Sequence, residues 1–355
     1  MPSIFFDARF IRLDHHDGIS RFSVELINEL SKTQNLTAII HSEAQKRFIP
    51  SGVDTVILNA PESPREFFIA RKLNNLGAEL VYSPMQIMGS WGRKYKLVLT
   101  LHDLIYYRHR KPPTDLNLLI QIIWRLYHLT YIPQRLLLNR ADLVVTVSET
   151  SKKLIEKHRL TKRPVEVIYN GVSEITSKPR EYPETKDLLY IGSFMPYKNV
   201  ETLITGVAQV SGFTLHLLSK ITPKREKELL NLAQRLGTKL VFHRGVDDET
   251  YQKLLKNAFA LLTASKDEGF GIPVIEAMAQ GTPVVITDLE VFKEIAGDVG
   301  LYFDSSNPKQ LADQLAQLSD KSRWLSVSAK AIDRARRFSW SDSARKLASL
   351  LNNLS

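Results

Sequence analysis

The stretch Glu268-Gly-Phe-Gly-Ile-Pro-Val-Ile-Glu-Ala-Met-Ala-Gln-Gly-Thr-Pro-Val-Val285 decides how this chain is read. It follows an apolar run, Ala258 to Leu262, with the length and character of a buried strand. A Gly-rich turn leads into a short helix that ends at Gly281, and Pro283 and Val284 open the next strand. Strand, turn, helix, turn, strand is the unit of a parallel sheet, because parallel strands need a crossover. Ligands of such sheets sit beyond the carboxyl ends of the strands, against the first turn of the following helix.

Two carboxylates frame the stretch. Glu268 precedes the glycines, and Glu276 lies eight positions later inside the helix. Gly269 and Gly271 can adopt backbone angles closed to other residues, which bares their N–H groups to a ligand. Those groups and the helix start would hold an anion. A carboxylate is a pure acceptor, so it suits sugar hydroxyls rather than phosphate. Taken alone, the same residues also fit an ordinary helix start with acids in its first turn.

The spacing resembles the Glu-x7-Glu signature of family 4 retaining glycosyltransferases, and Gly281-Thr-Pro-Val-Val285 continues the pattern. The match joins several linked positions, which a lone Gly-rich turn would not supply. The resemblance implies an α/β protein of the GT-B fold, two Rossmann-like domains whose parallel sheets face a central cleft. It also implies that Glu276 binds the nucleotide ribose. Glu268 and the backbone of Gly269, Phe270, Gly271 and Ile272 would face the donor sugar and its phosphates.

At 355 residues the chain can form two domains, each with its own core. Its 43% hydrophobic and 24% charged content is that of a globular protein. It contains no Cys, which excludes disulfides and thiolate metal sites. No apolar stretch reaches the roughly 18 uncharged residues of a transmembrane helix, and Met1 to Phe10 reads as a first strand rather than a signal peptide. Residues 1–175 carry 24 Lys and Arg against 17 Asp and Glu, a net +7 of the total +10. A basic first half suits an acidic substrate or an anionic membrane surface, and no nucleic-acid motif accompanies it.

In the first half, short apolar runs mark strands at Ile4 to Phe6, Leu36 to His41, Val56 to Leu58, Leu80 to Ser83 and Lys96 to Leu101. Two more follow at Ala141 to Ser148 and Val165 to Tyr169. The loop Arg12 to Arg21 precedes a helix from Phe22 to Leu30. Gly18 in that loop matches the second member of the family's Gly-Gly pair, and Asp17 departs from the first. Asp14, His15, His16 and Asp17 read as a solvated loop rather than a metal site. Lys96 to Leu101 ends on His102-Asp103, where a side chain reaches the ligand edge of the sheet. By resemblance His102 contacts the donor sugar beside the reaction centre, and Asp103 orders the loop. Arg108, Arg110 and Lys111 next to Trp124, Tyr127 and Tyr131 fit either an interfacial segment or a helix packed on the sheet.

Ser173 to Lys186 has the composition of a linker, which divides the chain into domains 1–172 and 187–335. A helix from 336 to 355 would cross back to the first domain. After the strand Leu188 to Ile191 comes Gly192-Ser-Phe-Met-Pro-Tyr-Lys-Asn199. Gly192 and Lys198 match the family pattern, and Ser193 replaces its usual Arg. The resemblance makes Lys198 the diphosphate cation, which steadies the leaving nucleotide as charge develops. Gly245-Val246, after the strand Leu240 to His243, matches a turn used around the nucleobase.

The resulting expectation is transfer of a hexose from a nucleoside diphosphate sugar to a hydroxyl of a glycan or lipid-linked acceptor, with retention. His102, Lys198 and Glu268 are the candidate catalytic residues. Gly18, Ser193, Lys198, Val246, Glu268, Gly269, Phe270, Gly271, Ile272 and Glu276 are the candidate donor contacts. No cofactor and no metal is expected, the sugar nucleotide serving as co-substrate. The Gly-Ser-Phe-Met-Pro-Tyr-Lys-Asn form resembles mannosyltransferases of surface-polysaccharide assembly, which makes GDP-mannose the first choice of donor, with UDP-glucose and related donors as alternatives. The protein is expected in the cytoplasm, either free or peripheral on the inner face of the cell membrane. The alternatives are a sugar-nucleotide hydrolase or epimerase of the same fold, or a non-catalytic sugar-nucleotide-binding protein.

Overall fold

The computed structural model describes residues 3–13, 18–112, 118–176 and 179–354. Asp14 to Asp17, read above as a solvated loop, lie outside the described residues, as do Asp115 and Ser177. The chain forms two compact units, Met1–Ser173 with Ser339–Ser355, and Glu174–Phe338.

The first unit holds a seven-stranded sheet. Its strands are β1 (Ile4–Asp7), β2 (Leu36–Ile40), β3 (Asp54–Ile57), β4 (Leu80–Ser83), β5 (Lys96–Leu101), β6 (Leu143–Thr146) and β7 (Val165–Val167). They lie in the order β3-β2-β1-β4-β5-β6-β7, every pairing parallel. The central strands β1, β4 and β6 are buried along their whole length. This is why their sequences are continuous apolar runs rather than alternating ones.

Just past β1 a charge is buried. Arg9 is 2% exposed and binds Asp7 at 2.7 Å and Glu66 at 2.7 Å, with a further bond to the Asn59 carbonyl. Burial opposes its charge, but Asp7 and Glu66 outweigh that and hold the guanidinium pKa above its ordinary value. The last helix, Trp340–Asn352, packs in this unit: Trp340 meets Phe22 edge-on at 5.8 Å, and the Ser343 hydroxyl donates to the Tyr169 carbonyl at 2.7 Å. A Cβ on Gly171 would lie 2.3 Å from the Trp340 nitrogen, so only glycine permits this approach.

The second unit holds β8 (Asp187–Tyr190), β9 (Thr214–Leu217), β10 (Lys239–Phe242), β11 (Ala260–Thr263), β12 (Val284–Thr287) and β13 (Leu301–Phe303). Their order is β10-β9-β8-β11-β12-β13, again all parallel. Trp324 is fully buried here and donates its indole N–H to the Phe259 carbonyl at 2.9 Å. The stretch expected as a linker is packed onto this unit. Arg180 donates to the Ala258 carbonyl and the Thr282 hydroxyl, and Tyr182 to the Ser319 carbonyl.

Both sheets build outward in two directions from their first strand. The direction reverses between β1 and β4, and again between β8 and β11. At such a reversal the loops leaving adjacent strands diverge, and a crevice opens at the carboxyl edge.

Candidate functional site

The reversal in the second unit lies between the loops that follow β8 and β11, and these loops carry the expected residues. After β8 the chain runs through Gly192, whose N–H donates to the Ser219 hydroxyl at 3.0 Å. Ser193 is exposed, and its carbonyl accepts from the Tyr190 hydroxyl at 2.5 Å. A turn of 3-10 helix, Pro196–Lys198, ends at Asn199 in the left-handed region (φ 54°, ψ 42°), and the Asn199 side chain donates to the Ser305 carbonyl at 2.8 Å. Asn tolerates that conformation better than most residues. The turn aims Lys198 across to the neighbouring loop.

There Lys198 Nζ meets Glu268 Oε1 at 2.5 Å, both side chains largely buried at 16% and 13% exposure. The same oxygen accepts from the Ser265 hydroxyl at 2.7 Å. The loops are joined a second time by the Lys266 N–H, which donates to the Tyr197 carbonyl at 2.8 Å. Two residues 70 positions apart thus form one charge pair at the point where the strand order reverses.

The glycine turn leads into the helix Ile272–Ala279. Gly271 is its N-cap, with φ 107° and ψ 56°, and a Cβ there would stand 2.7 Å from Phe292 Cε1. Of the glycine pair, Gly271 therefore carries the positive φ that the sequence suggested for both. Phe270 is buried and packs edge-on against Phe338 at 5.8 Å, so it contributes through its backbone and its anchoring. Ile272 is the first helical residue and half-buried. Glu276 is the fifth residue of the helix and half-buried, and its Oε2 accepts from the Tyr251 hydroxyl at 2.8 Å. Val246 follows Gly245 (φ 110°), whose N–H donates to the Leu218 carbonyl at 2.9 Å. That turn lies at the same carboxyl edge, beyond β10.

In the first unit His102 leaves the end of β5. Its Nε2 donates to the Pro84 carbonyl at 2.8 Å, and its ring stands edge-on to Phe22 at 5.1 Å. Because a carbonyl can only accept, Nε2 carries a proton and the ring orientation is fixed. Asp103 accepts from the Ile105 N–H at 2.9 Å, which orders the loop. Gly18 differs from expectation: it is exposed and is the first residue of a helix, Gly18–Leu30, that starts four residues earlier than the apolar periodicity suggested. Ser20 lies within that helix's first turn, and its hydroxyl accepts from the Arg12 N–H at 3.0 Å. Among the described residues no three His, Asp or Glu side chains come together in a metal-binding group.

Sequence reasoning missed Tyr251 and Ser265. Tyr251 lies in the helix Asp248–Asn257 with 3% exposure, so by periodicity it is indistinguishable from core. Ser265 had a usable signal, since it is a polar residue two positions beyond a buried strand at the ligand edge.

Residues 172–338 match the family Glycosyl transferases group 1, and residues 16–174 match Glycosyltransferase Family 4. The O-antigen chain mannosyltransferase RfbU of Salmonella typhimurium is 27% identical over 309 residues, 82% of this chain and 84% of that protein. O-antigen chain mannosyltransferase B of Escherichia coli is 28% identical over 225 residues, 57% of this chain and 58% of its own. The structure of Anabaena HepE in complex with UDP and glucose superposes with a TM-score of 0.76 at 20% identity, over 100% of each chain.

Proposed function

This chain is a glycosyltransferase of the GT-B fold, joining a family 4 domain to a group 1 domain, and from that premise we propose that it transfers mannose from GDP-mannose. The acceptor is a hydroxyl of a glycan or lipid-linked glycan, and the anomeric configuration is retained. The observation that carries the reading is the Lys198–Glu268 pair at the strand reversal, with Glu276 eight residues further on. The mannosyltransferases among the relatives favour the sugar.

In this reading Glu276 accepts from the ribose hydroxyls, and Tyr251 holds one of its oxygens in place. A diphosphate adds charge beside Lys198. As the bond from C1 of the sugar to the phosphate oxygen breaks, that charge grows, and Lys198 stabilises it more than it stabilised the ground state. The acceptor oxygen bonds to C1 on the same face, and its proton passes to the departing phosphate oxygen. Glu268 is held by Lys198 and Ser265, a fixed acceptor rather than a free nucleophile. His102, oriented through Pro84, contacts the sugar.

The test is release of GDP from GDP-mannose with and without a glycolipid acceptor. Release that requires acceptor, with an α-linked product, is the expected result. Equal release in its absence would identify a sugar-nucleotide hydrolase, and tight binding without turnover under any acceptor would identify a sensor. Stronger thermal stabilisation by UDP than by GDP would move the donor to the UDP-sugars.

A further inference from the structure

The helices Leu118–Tyr127 and Ile132–Leu138 have two unlike faces. The aromatic groups point inward. Trp124 stands 5.2 Å from the Tyr106 ring, Tyr131 lies 4.5 Å from that of Tyr107, and the Tyr127 hydroxyl donates to Gln134. Tyr127 and Tyr131 pack against the core of the first unit, so of the two readings open from the sequence these two rings follow the packed helix. The outward face is aliphatic: Ile122, Ile123, Leu126, Leu129, Ile132 and Leu136 are 44% to 63% exposed. Among the described residues, seven of the seventeen exposed large apolar side chains fall between residues 120 and 136, which makes a patch rather than scattered surface.

Charge says what covers it. Arg108, Arg110, Lys111, Arg125, Arg135 and Arg140 are exposed in the same segment. Asp115 is the only acid in residues 104–140. We propose that this face rests on an anionic lipid surface, with the aliphatic side chains in the headgroup–acyl boundary and the cations against the phosphates. It lies on the bilayer and does not cross it: the ten-residue helix is about 15 Å long against a hydrocarbon core of about 30 Å. Among the described residues no helix is long and apolar enough to span a membrane. The proposal stands whichever sugar nucleotide the enzyme uses.

The experiment is co-sedimentation of the full chain with phosphatidylcholine vesicles, with and without phosphatidylglycerol. Binding should require the anionic lipid and weaken as salt rises. Each cation contributes about fivefold, so Arg108→Ser, Arg110→Ser and Lys111→Ser together should weaken binding by about a hundredfold at low salt. Ile123→Ser with Leu126→Ser should also release the protein, and both variants should keep the wild type's circular-dichroism spectrum and the thermal transition of the first unit, which shows that they fold. No binding of the wild type at low salt would overturn the proposal. So would unchanged binding of the aliphatic variant, or a dimer in solution that the aliphatic variant dissolves without any vesicle binding.

Discussion

Lys198 and Glu268 share a hydrogen bond of 2.5 Å, and a diphosphate placed at that pair competes with the carboxylate for the ammonium. A contact of this kind matters most when the phosphate charge is largest, which is during bond cleavage. Lys198→Ala should therefore lower kcat by about 10²-fold or more while changing the donor dissociation constant much less, measured by single-turnover kinetics beside calorimetry. Equal losses in both would make Lys198 an ordinary ground-state contact. At this scale the family resemblance supplied the charged candidates Glu268, Glu276 and Lys198, and the structure brings Lys198 and Glu268 into contact. The sequence hid their supports. Tyr251 and Ser265 act through hydroxyls whose partners are 25 and 3 positions away, and no pattern of a single chain announces such a pairing.

The turn Glu268 to Gly271 is the element on which the second unit's site depends. Gly271 holds φ at 107° beneath Phe292, so Gly271→Ala combines backbone strain with a clash. A cost of about 1–3 kcal/mol is expected from the strain alone, read as a lowered denaturation midpoint, together with weakened GDP binding. A variant with wild-type stability would show that the turn can relax and that glycine is not required there. Strands were the most legible elements, since each central parallel strand is buried on both faces and becomes a short uninterrupted apolar run. Leu80–Ser83 and Lys96–Leu101 end where the sequence placed them. Helix ends were less so. Gly18 and Ser20 are poor helix formers, so the apolar periodicity showed only from Phe22 onward, although the helix begins at Gly18. The segment Leu118–Leu138 kept its ambiguity because aromatic and aliphatic residues alternate around it, and composition alone does not say which side packs.

Each unit of the molecule is a parallel sheet with its own reversal, and the last helix returns to the first. Trp340, Leu347 and Leu351 are each under 5% exposed, and burial of such side chains is worth about 1.5–3 kcal/mol apiece. Ending the chain at Phe338 should therefore destabilise the first unit by several kcal/mol and leave GDP binding by the second intact, as followed by calorimetry and by two separated thermal transitions. Loss of GDP binding in that variant would place part of the nucleotide site outside the second unit. In the proposed function Glu276, in the helix that follows the strand reversal of the second unit, grips the nucleotide, whereas His102 serves the sugar. Calorimetric titration of GDP into wild type, Glu276→Ala and His102→Ala tests it most directly. Affinity should fall by about 1.5–3 kcal/mol in Glu276→Ala, the range for hydrogen bonds to charged groups, and stay near wild type in His102→Ala. Undiminished GDP affinity in a folded Glu276→Ala protein would contradict it.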